Sequence, residues 1–217
     1  MIGAALLLML AAQSQSQQQP LRQEGPAAWP DTVEEAYDLP DTATLARTYE
    51  RAACVVNASG EKVDTALAKD YRSPQYKRAF ETIFQNNAGC FGKRGGLPRA
   101  SLVLTGAMAE HLLARDKIAL NVRLARAATG PAPKAASESE AAAICTVRSL
   151  PDETAAWLAT KPASAEAEAA ARPVETVFNR CASGAEKANV AGPRLRALVA
   201  LAALRSVNTS GTAAASN

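Results

Sequence analysis

The chain has 217 residues, a formal net charge of +3 and 5% aromatic residues, and alanine makes up about a quarter of it. Basic and acidic residues are spread evenly over both halves, so the basic stripe typical of nucleic-acid-binding proteins is absent. Because alanine is the best helix former and glycine and proline fall mainly between periodic apolar segments, we predict an all-α protein.

The N-terminal segment begins with an apolar run from Ile2 to Ala12. This run is long enough for the hydrophobic region of a signal peptide and shorter than the roughly 20 residues that span a bilayer. We therefore expect residues 1–16 to be a signal peptide that targets the chain without anchoring it. Residues 17–40, rich in glutamine, proline and acidic side chains, are predicted to form a flexible lead-in.

Residues 41–129 are predicted to form a first helical unit. Asp41 or Thr42 is a suitable N-cap, and Ser73 followed by Pro74 is a second helix start. Leu97-Pro98 is predicted to open a further helix. The expected helices cover approximately residues 42–56, 61–69, 74–88, 98–115 and 117–128.

A linker and a second unit follow. Gly130-Pro131-Ala132-Pro133 predicts a linker at residues 130–137. The second unit, residues 138–208, is predicted to have helices that begin near Ser137, Pro151, Ser164 and Pro193, the last ending near Val207. We expect residues 209–217 to be a disordered tail.

The four cysteines fall into two pairs with the same spacing, since 90 − 54 = 36 and 181 − 145 = 36. Two short motifs recur in matching places: Glu81-Thr82-Ile83-Phe84 returns as Glu175-Thr176-Val177-Phe178, and Pro98-Arg99 returns as Pro193-Arg194. This pattern predicts two tandem, imperfectly duplicated units of about four helices each.

Each unit is predicted to be stapled by one disulfide, which points to an oxidising compartment. Four cysteines allow three connectivities, and the repeat favours Cys54 with Cys90 and Cys145 with Cys181. A zinc site is disfavoured because the chain has a single histidine and no C-x-x-C pair, so we expect neither metal nor cofactor.

Candidate catalytic residues are few. His111 is the only histidine, and its neighbour Glu110 would point in a different direction on a helix. Neither a nucleophile elbow, an H-E-x-x-H motif nor a phosphate-binding loop occurs in the sequence. These observations favour a non-catalytic protein.

One loop has the composition of an anion site. Lys93, Arg94, Gly95, Gly96 and Arg99 immediately precede a predicted helix, whose free amides would add to the charge of the cations. The alternative interpretation is a solvated turn whose glycines close the approach to the helix.

The paired cysteines, the helix that starts at Pro98 and the stretch from Leu104 to Glu110 resemble small, alanine-rich helical proteins secreted by alphaproteobacteria. The resemblance covers residues 42–115. It implies an envelope location and brings neither an activity nor functional residues.

Together these features predict a periplasmic or secreted helical protein that acts by binding or as a structural element. Its expected partners are an envelope protein or a small anion, and nucleic acid is excluded. Two alternatives remain: a saposin-like amphipathic protein that associates with a membrane surface, and, less favoured, a hydrolase.

Overall fold

The computed structural model describes residues 40–92, 101–182 and 190–215, and the side chains of residues 40–92, 101–182 and 190–211. The all-α prediction is confirmed, since the described residues form eight α-helices and no strand. The helices are α1 (Thr42–Leu67), α2 (Pro74–Asn86), α3 (Leu102–Leu113), α4 (Leu120–Thr129), α5 (Glu138–Ser149), α6 (Pro151–Ala159), α7 (Ala165–Cys181) and α8 (Gly192–Ala215).

Most helices begin where a short polar side chain can accept a hydrogen bond from the first turn. Asp41 accepts from the backbone amide of Thr44 at 2.8 Å, and Ser73 accepts from that of Tyr76 at 3.1 Å. The same arrangement starts three more helices, with the serine N-caps Ser101, Ser137 and Ser164. These caps satisfy amides that have no partner within the helix and therefore fix the starts of the helices.

Helix α1 replaces the first two predicted helices with one helix kinked at Ser59, whose φ of −144° and ψ of 32° are not helical. At the kink, the guanidinium of Arg115 donates a hydrogen bond to the carbonyl oxygen of Val56 at 3.3 Å. Asn87 at the end of α2 donates to the Ser59 hydroxyl at 3.0 Å. Side chains from α2 and from the residues after α3 therefore hold the bend in place.

Three helix boundaries differ from the prediction by three residues or more. Helix α4 begins at Leu120 rather than at Lys117, because the chain bends at residues 117–118. Helix α3 begins at Leu102 rather than at Pro98, because Ser101 is extended and its hydroxyl caps the amide of Leu104. Helix α8 continues to Ala215, beyond its predicted end near Val207 and into the predicted tail. The hydroxyls of Thr209 and Ser210 bond to carbonyl oxygens of the preceding turn, which lets these polar residues remain helical.

Helices α3 and α8 lie at the centre of the fold. Helix α3 packs between α1 and α8, and α8 packs in turn on α4 and α5. A Cβ atom added at Gly106 would lie 2.3 Å from the Cβ of Ala197, so the glycine allows the two central helices to approach closely. The buried apolar side chains of both predicted units belong to one hydrophobic cluster.

The predicted linker, residues 130–137, is non-helical. It is nevertheless attached to the helices on either side. The guanidinium of Arg148 donates to the carbonyl oxygens of Ala127, Ala128 and Gly130 at 2.8 to 2.9 Å. Arg205 of α8 pairs with Glu140 and also donates to the carbonyl of Lys134 at 2.9 Å. The division of the chain into two duplicated units therefore stays a prediction, although the segment between them is firmly held.

Both disulfides have the predicted pairing. Cys54 of α1 is joined to Cys90, which lies in a 3-10 turn (Ala88–Phe91) just after α2, and Cys145 of α5 is joined to Cys181 at the end of α7. In each bond one cysteine is exposed and the other is half-buried. The bonds are therefore staples at the surface of the bundle rather than parts of its core.

The predicted signal peptide and nearly all of the predicted lead-in lie outside the described residues. Among the helices that were described, none combines the length and the apolar character needed to cross a membrane.

Candidate functional site

The predicted anion loop cannot be placed in the fold. Lys93, Arg94, Gly95, Gly96 and Arg99 all lie outside the described residues. The described structure stops at Gly92, whose φ of 78° belongs to the left-handed region that favours glycine. Anion binding by this loop stays a prediction.

The candidate pair of His111 and Glu110 is separated by the fold. The Nε2 atom of His111 lies 3.2 Å from the backbone oxygen of Tyr49. The carboxylate of Glu110 instead receives hydrogen bonds from the Tyr49 hydroxyl, at 2.5 Å, and from Arg196. Neighbouring positions on a helix face different directions, and here each side chain has a separate partner. His111 and Glu110 are therefore not placed to act as acid and base on one substrate atom.

Arg196 of α8 is the centre of a buried polar network. Its Nε and Nη2 atoms donate to the two carboxylate oxygens of Glu110, at 3.0 and 2.8 Å, and its guanidinium lies 5.6 Å from the centre of the Trp157 ring. The remaining hydrogen bonds reach the end of α6: Nη1 donates to the Trp157 carbonyl and the Thr160 hydroxyl, and Nη2 donates to the carbonyls of Leu158 and Thr160, all at 2.9 to 3.1 Å. Every donor of the guanidinium therefore has a partner.

Within this network both Tyr49 and Arg196 are held in their protonated forms. Burial, reinforced by the negative charge of Glu110, raises the pKa of the Tyr49 hydroxyl far above its usual value, so the phenol remains a hydrogen-bond donor. Burial by itself would lower the pKa of Arg196, but the hydrogen bonds and charge of Glu110 outweigh that effect and raise it. The network is an ion pair that joins α1, α3, α6 and α8, and its satisfied groups indicate a structural role.

Several other arginines also bind backbone carbonyls at the ends of helices. Arg148 holds the end of α4, Arg115 fills the kink of α1, and Arg123 donates to the carbonyl of Leu113 at the end of α3. Cations are favourable at helix C-termini because they neutralise unpaired carbonyl groups. These arginines thus bind the protein's own backbone rather than standing free for a ligand.

The best candidate for a binding surface is an open groove between the second half of α1 and the first half of α2. Its volume is about 630 Å³. The residues that line it are Glu61, Lys62, Thr65, Ala66, Lys69, Gln75, Arg78, Ala79, Thr82 and Ile83. We call this surface the α1–α2 groove.

The α1–α2 groove has an apolar floor and a cationic rim. Ala66 and Ile83 are buried at the floor, and Ala79 is half-buried beside them. Three cations, Lys62, Lys69 and Arg78, and a single carboxylate, Glu61, stand around the opening. Small side chains at two floor positions explain why two packed helices leave a hollow here, since alanine fills little of the space between them.

Two short stripes of polar residues in the sequence mark the walls of this groove. Lys62, Thr65 and Lys69 recur at helical spacing in the sequence, although Lys69 follows the end of α1, and Gln75, Arg78 and Thr82 recur in the same way on α2. Predicting a groove from these two stripes requires knowing that they face each other. That fact depends on how α2 turns back along α1, which the disulfide between Cys54 and Cys90 helps to fix.

A second hollow, of about 110 Å³, lies where α8 passes the end of α1 and the linker. Arg205 and Lys134 are among its lining residues, but the Arg205 guanidinium is already paired with Glu140. The hollow is too small for more than a few water molecules.

A metal centre is not found in the part of the chain that the structure describes, where no three His, Cys, Asp or Glu side chains are grouped to bind an ion. Comparison of the chain with models of known protein families, with curated proteins and with solved structures gives no match.

Proposed function

We propose that this protein is a secreted or periplasmic binding protein without catalytic activity, and that the α1–α2 groove receives an amphipathic helix carrying acidic side chains from a partner protein. The observation that carries the proposal is the groove itself, with its apolar floor of Ala66 and Ile83 between cationic edges. Helix-in-groove recognition uses this combination, because the apolar stripe of the incoming helix enters the groove while charges at the rim fix its orientation.

The dimensions of the groove support a helical occupant. On α2 the groove runs from Gln75 to Ile83, which is about 12 Å at 1.5 Å per residue; on the other side it runs from Glu61 in α1 to Lys69, just after the end of α1. Such a length accommodates two turns of a third helix. The volume also falls within the range of roughly 300 to 1,000 Å³ that is usual for binding sites.

The disulfides support the extracytoplasmic location. Each closes a loop of 36 residues, and exposed disulfides of this kind persist in oxidising compartments. The bond between Cys54 and Cys90 also ties α1 to the turn that follows α2, which limits how far the two walls of the groove can move apart. Preorganisation of this kind lowers the entropic cost of binding.

The proposal is tested with a fluorescein-labelled amphipathic peptide of alanine, leucine and glutamate, about five helical turns long, and with a counterpart in which lysine replaces glutamate. Fluorescence anisotropy should show binding of the acidic peptide alone, weakening as salt is added. The double variant Lys62→Glu/Arg78→Glu should reduce the affinity at least about tenfold, since each reversed charge meets a carboxylate.

Arg172→Glu is the matched control for this experiment. Arg172 is exposed on α7 and occupies the place in the repeated motif region that Arg78 occupies on α2, since 172 − 78 = 94 and 175 − 81 = 94. This variant should bind the acidic peptide like the wild type. Equal binding of the acidic and basic peptides, or an equal loss in Arg172→Glu, would refute the groove as the binding site.

A further inference from the structure

The part of the chain that precedes α1 is strongly acidic, although the whole chain carries a net charge of +3. Between Arg22 and Arg47 the sequence has six carboxylates and neither lysine nor arginine. The six are Glu24, Asp31, Glu34, Glu35, Asp38 and Asp41. A run of one charge sign is typical of a segment that binds a surface of the opposite sign.

Residues 31–38 of this stretch have the pattern of an amphipathic helix. Val33, Ala36 and Tyr37 are spaced by three and four positions and therefore share one face of a helix. The carboxylates are spaced in the same way and fall on the opposite face: they are Asp31, Glu34, Glu35 and Asp38. At 1.5 Å per residue, eight helical residues extend about 12 Å. We call residues 31–38 the acidic segment.

The α1–α2 groove complements the acidic segment in length and in charge. The groove also extends about 12 Å along α2, between Gln75 and Ile83. Its lining residues include three cations and one carboxylate, and none of the three cations is in an ion pair with another described residue. These cations are Lys62, Lys69 and Arg78. The groove thus offers free positive charge around an apolar floor.

Two carboxylates close to the groove in sequence have partners of their own. Asp70, which follows Lys69, lies 3.5 Å from the Nε atom of Arg72. Asp64 accepts a hydrogen bond from the side-chain amide of Asn208 at 2.7 Å. Neither carboxylate is among the residues that line the groove. The cations of the rim are therefore left to an incoming acidic partner.

We propose that this partner is a second copy of the chain, whose acidic segment occupies the α1–α2 groove. The inference rests on the proposed function, since it names the protein that supplies the acidic helix. The apolar stripe of the segment would cover the floor at Ala66 and Ile83, and its carboxylates would lie beside the cationic rim. A segment predicted to be flexible in the free chain can become helical when it docks.

The acidic segment of the same copy is too short-tethered to reach the groove. Helix α1 extends about 26 Å from Thr42 to its kink at Ser59, at 1.5 Å per residue, and the groove lies beyond the kink. The residues that connect Asp38 to Thr42 span at most about 14 Å, since an extended chain covers no more than about 3.6 Å per residue. The segment therefore stays at the start of its own α1, and only another copy can insert it.

Exchange of charges between two variants tests the inference. Sedimentation velocity of the full chain across the micromolar range should show self-association that weakens as salt is added. Glu34→Lys/Glu35→Lys, which reverses charges in the segment, and Lys62→Glu/Arg78→Glu, which reverses charges at the rim, should each weaken it at least about tenfold. A mixture of the two variants should associate again, because the unchanged segment of the second meets the unchanged groove of the first.

Arg172→Glu, which changes an exposed arginine on α7, is the matched control and should associate as the wild type does. Thermal unfolding followed by circular dichroism checks that each variant is folded. The peptide of alanine, leucine and glutamate should compete for the groove and shift the wild type toward the monomer.

A wild type that stays monomeric would overturn the inference. So would self-association that persists in both double variants, or variants that do not associate when mixed. Binding of the acidic peptide to a monomeric wild type would leave the groove as a binding site for another protein, whereas failure of the peptide to bind to a monomeric wild type would overturn the proposed function as well.

Discussion

The two halves of the chain bend at the same place, and in each half an arginine binds backbone carbonyls near the helices that the bend joins, at a different depth in the fold. Ser59 lies five residues after Cys54, and Leu150 lies five residues after Cys145. Ser59 kinks α1, whereas Leu150, with φ −132° and ψ 62°, separates α5 from α6. In the first half the exposed Arg115 donates one hydrogen bond at the kink, and Asn87 donates another to the Ser59 hydroxyl. In the second half the end of α6 is held by the buried guanidinium of Arg196. The comparison teaches that similar stretches of backbone can be bound by an exposed arginine in one half and by a buried arginine in the other.

The same comparison explains why a groove opens in the first half. Ala66 occupies the position that Trp157 occupies in the second half, at the same offset of 91 residues that relates Cys54 to Cys145. Trp157 is a large buried side chain packed beneath Arg196, while Ala66 leaves space at the floor of the α1–α2 groove. The small side chain of Ala66 thus goes with an open groove in the first half, and the large side chain of Trp157 fills the corresponding place in the second half.

The largest effect that distinguishes the halves should come from Arg196→Met. This change leaves the buried carboxylate of Glu110 without its cation and uncaps the end of α6. Breaking one partner of a buried ion pair costs about 3 to 5 kcal/mol, so we expect a loss of that size in the free energy of unfolding, measured with guanidinium chloride.

Arg115→Met is the counterpart in the first half and should cost no more than about 1.5 kcal/mol, since only one hydrogen bond from an exposed side chain is lost. Arg196→Lys should be intermediate, because it keeps the charge but not the forked geometry. Equal losses for Arg196→Met and Arg115→Met would contradict the distinction between a core anchor and a surface anchor.

The two disulfides should contribute equally to the free energy of unfolding of the two halves. Both bonds close loops of 36 residues, so the loop-entropy model assigns each about 3 to 4 kcal/mol. We expect Cys54→Ser/Cys90→Ser and Cys145→Ser/Cys181→Ser to lose similar amounts of the free energy of unfolding in urea titrations. A difference above about 1.5 kcal/mol would mean that structure or strain specific to one half, rather than loop closure, dominates.

The contact between the halves is tested at Gly106. A methyl group at this position would meet Ala197 at 2.3 Å, so Gly106→Ala should force α3 and α8 apart despite the better helix propensity of alanine. Overpacking of this kind typically costs about 1 to 3 kcal/mol. Thermal denaturation should show a lower Tm for Gly106→Ala.

The double variant Gly106→Ala/Ala197→Gly restores the space and should recover part of the lost stability. A double-mutant cycle would give the interaction energy of the pair. If Gly106→Ala unfolds at the same temperature as the wild type, the close approach of the central helices does not limit stability.

Helix starts were predictable from the sequence because their causes are local. Ser73, Ser137 and Ser164 each cap an amide three residues away, and this pattern can be found without knowing the fold. The start of α3 was misplaced because Pro98 is a stronger sequence signal than Ser101, which nevertheless forms the cap. The end of α8 was misplaced because hydroxyl side chains can bond within a helix as well as terminate it.

The contacts between distant segments could not be predicted in the same way. Glu110 and Arg196 are 86 residues apart, and nothing in either local sequence indicates that they pair. The α1–α2 groove likewise depends on the turn of α2 back along α1. The cysteine spacing was the exception, since a repeated interval carries information on long-range pairing that a single charged residue does not.

Alkaline unfolding should act on the first half and reveal whether both halves respond together. All four tyrosines precede residue 77, and burial raises the pKa of both Tyr49 and Tyr76. In the unfolded chain these phenols ionise near pH 10, whereas the folded protein retains their protons. Stability contributed by the protonated phenols is therefore complete below about pH 10 and falls above it, by about 1.4 kcal/mol per pH unit for each tyrosine.

Tyr76→Phe should reduce the slope of the free energy of unfolding against pH by the contribution of one proton, whereas Trp157→Phe, an aromatic replacement in the second half, should leave the slope unchanged.

Because the buried side chains of both halves form one cluster, loss of the first half should remove the surface on which α5 and α8 depend. Far-ultraviolet circular dichroism and the fluorescence of Trp157, measured in a Trp29→Phe background, should therefore change at the same pH. A fluorescence transition at a higher pH than the loss of helix would show that the second half stays folded alone, and would make the two predicted units separate domains.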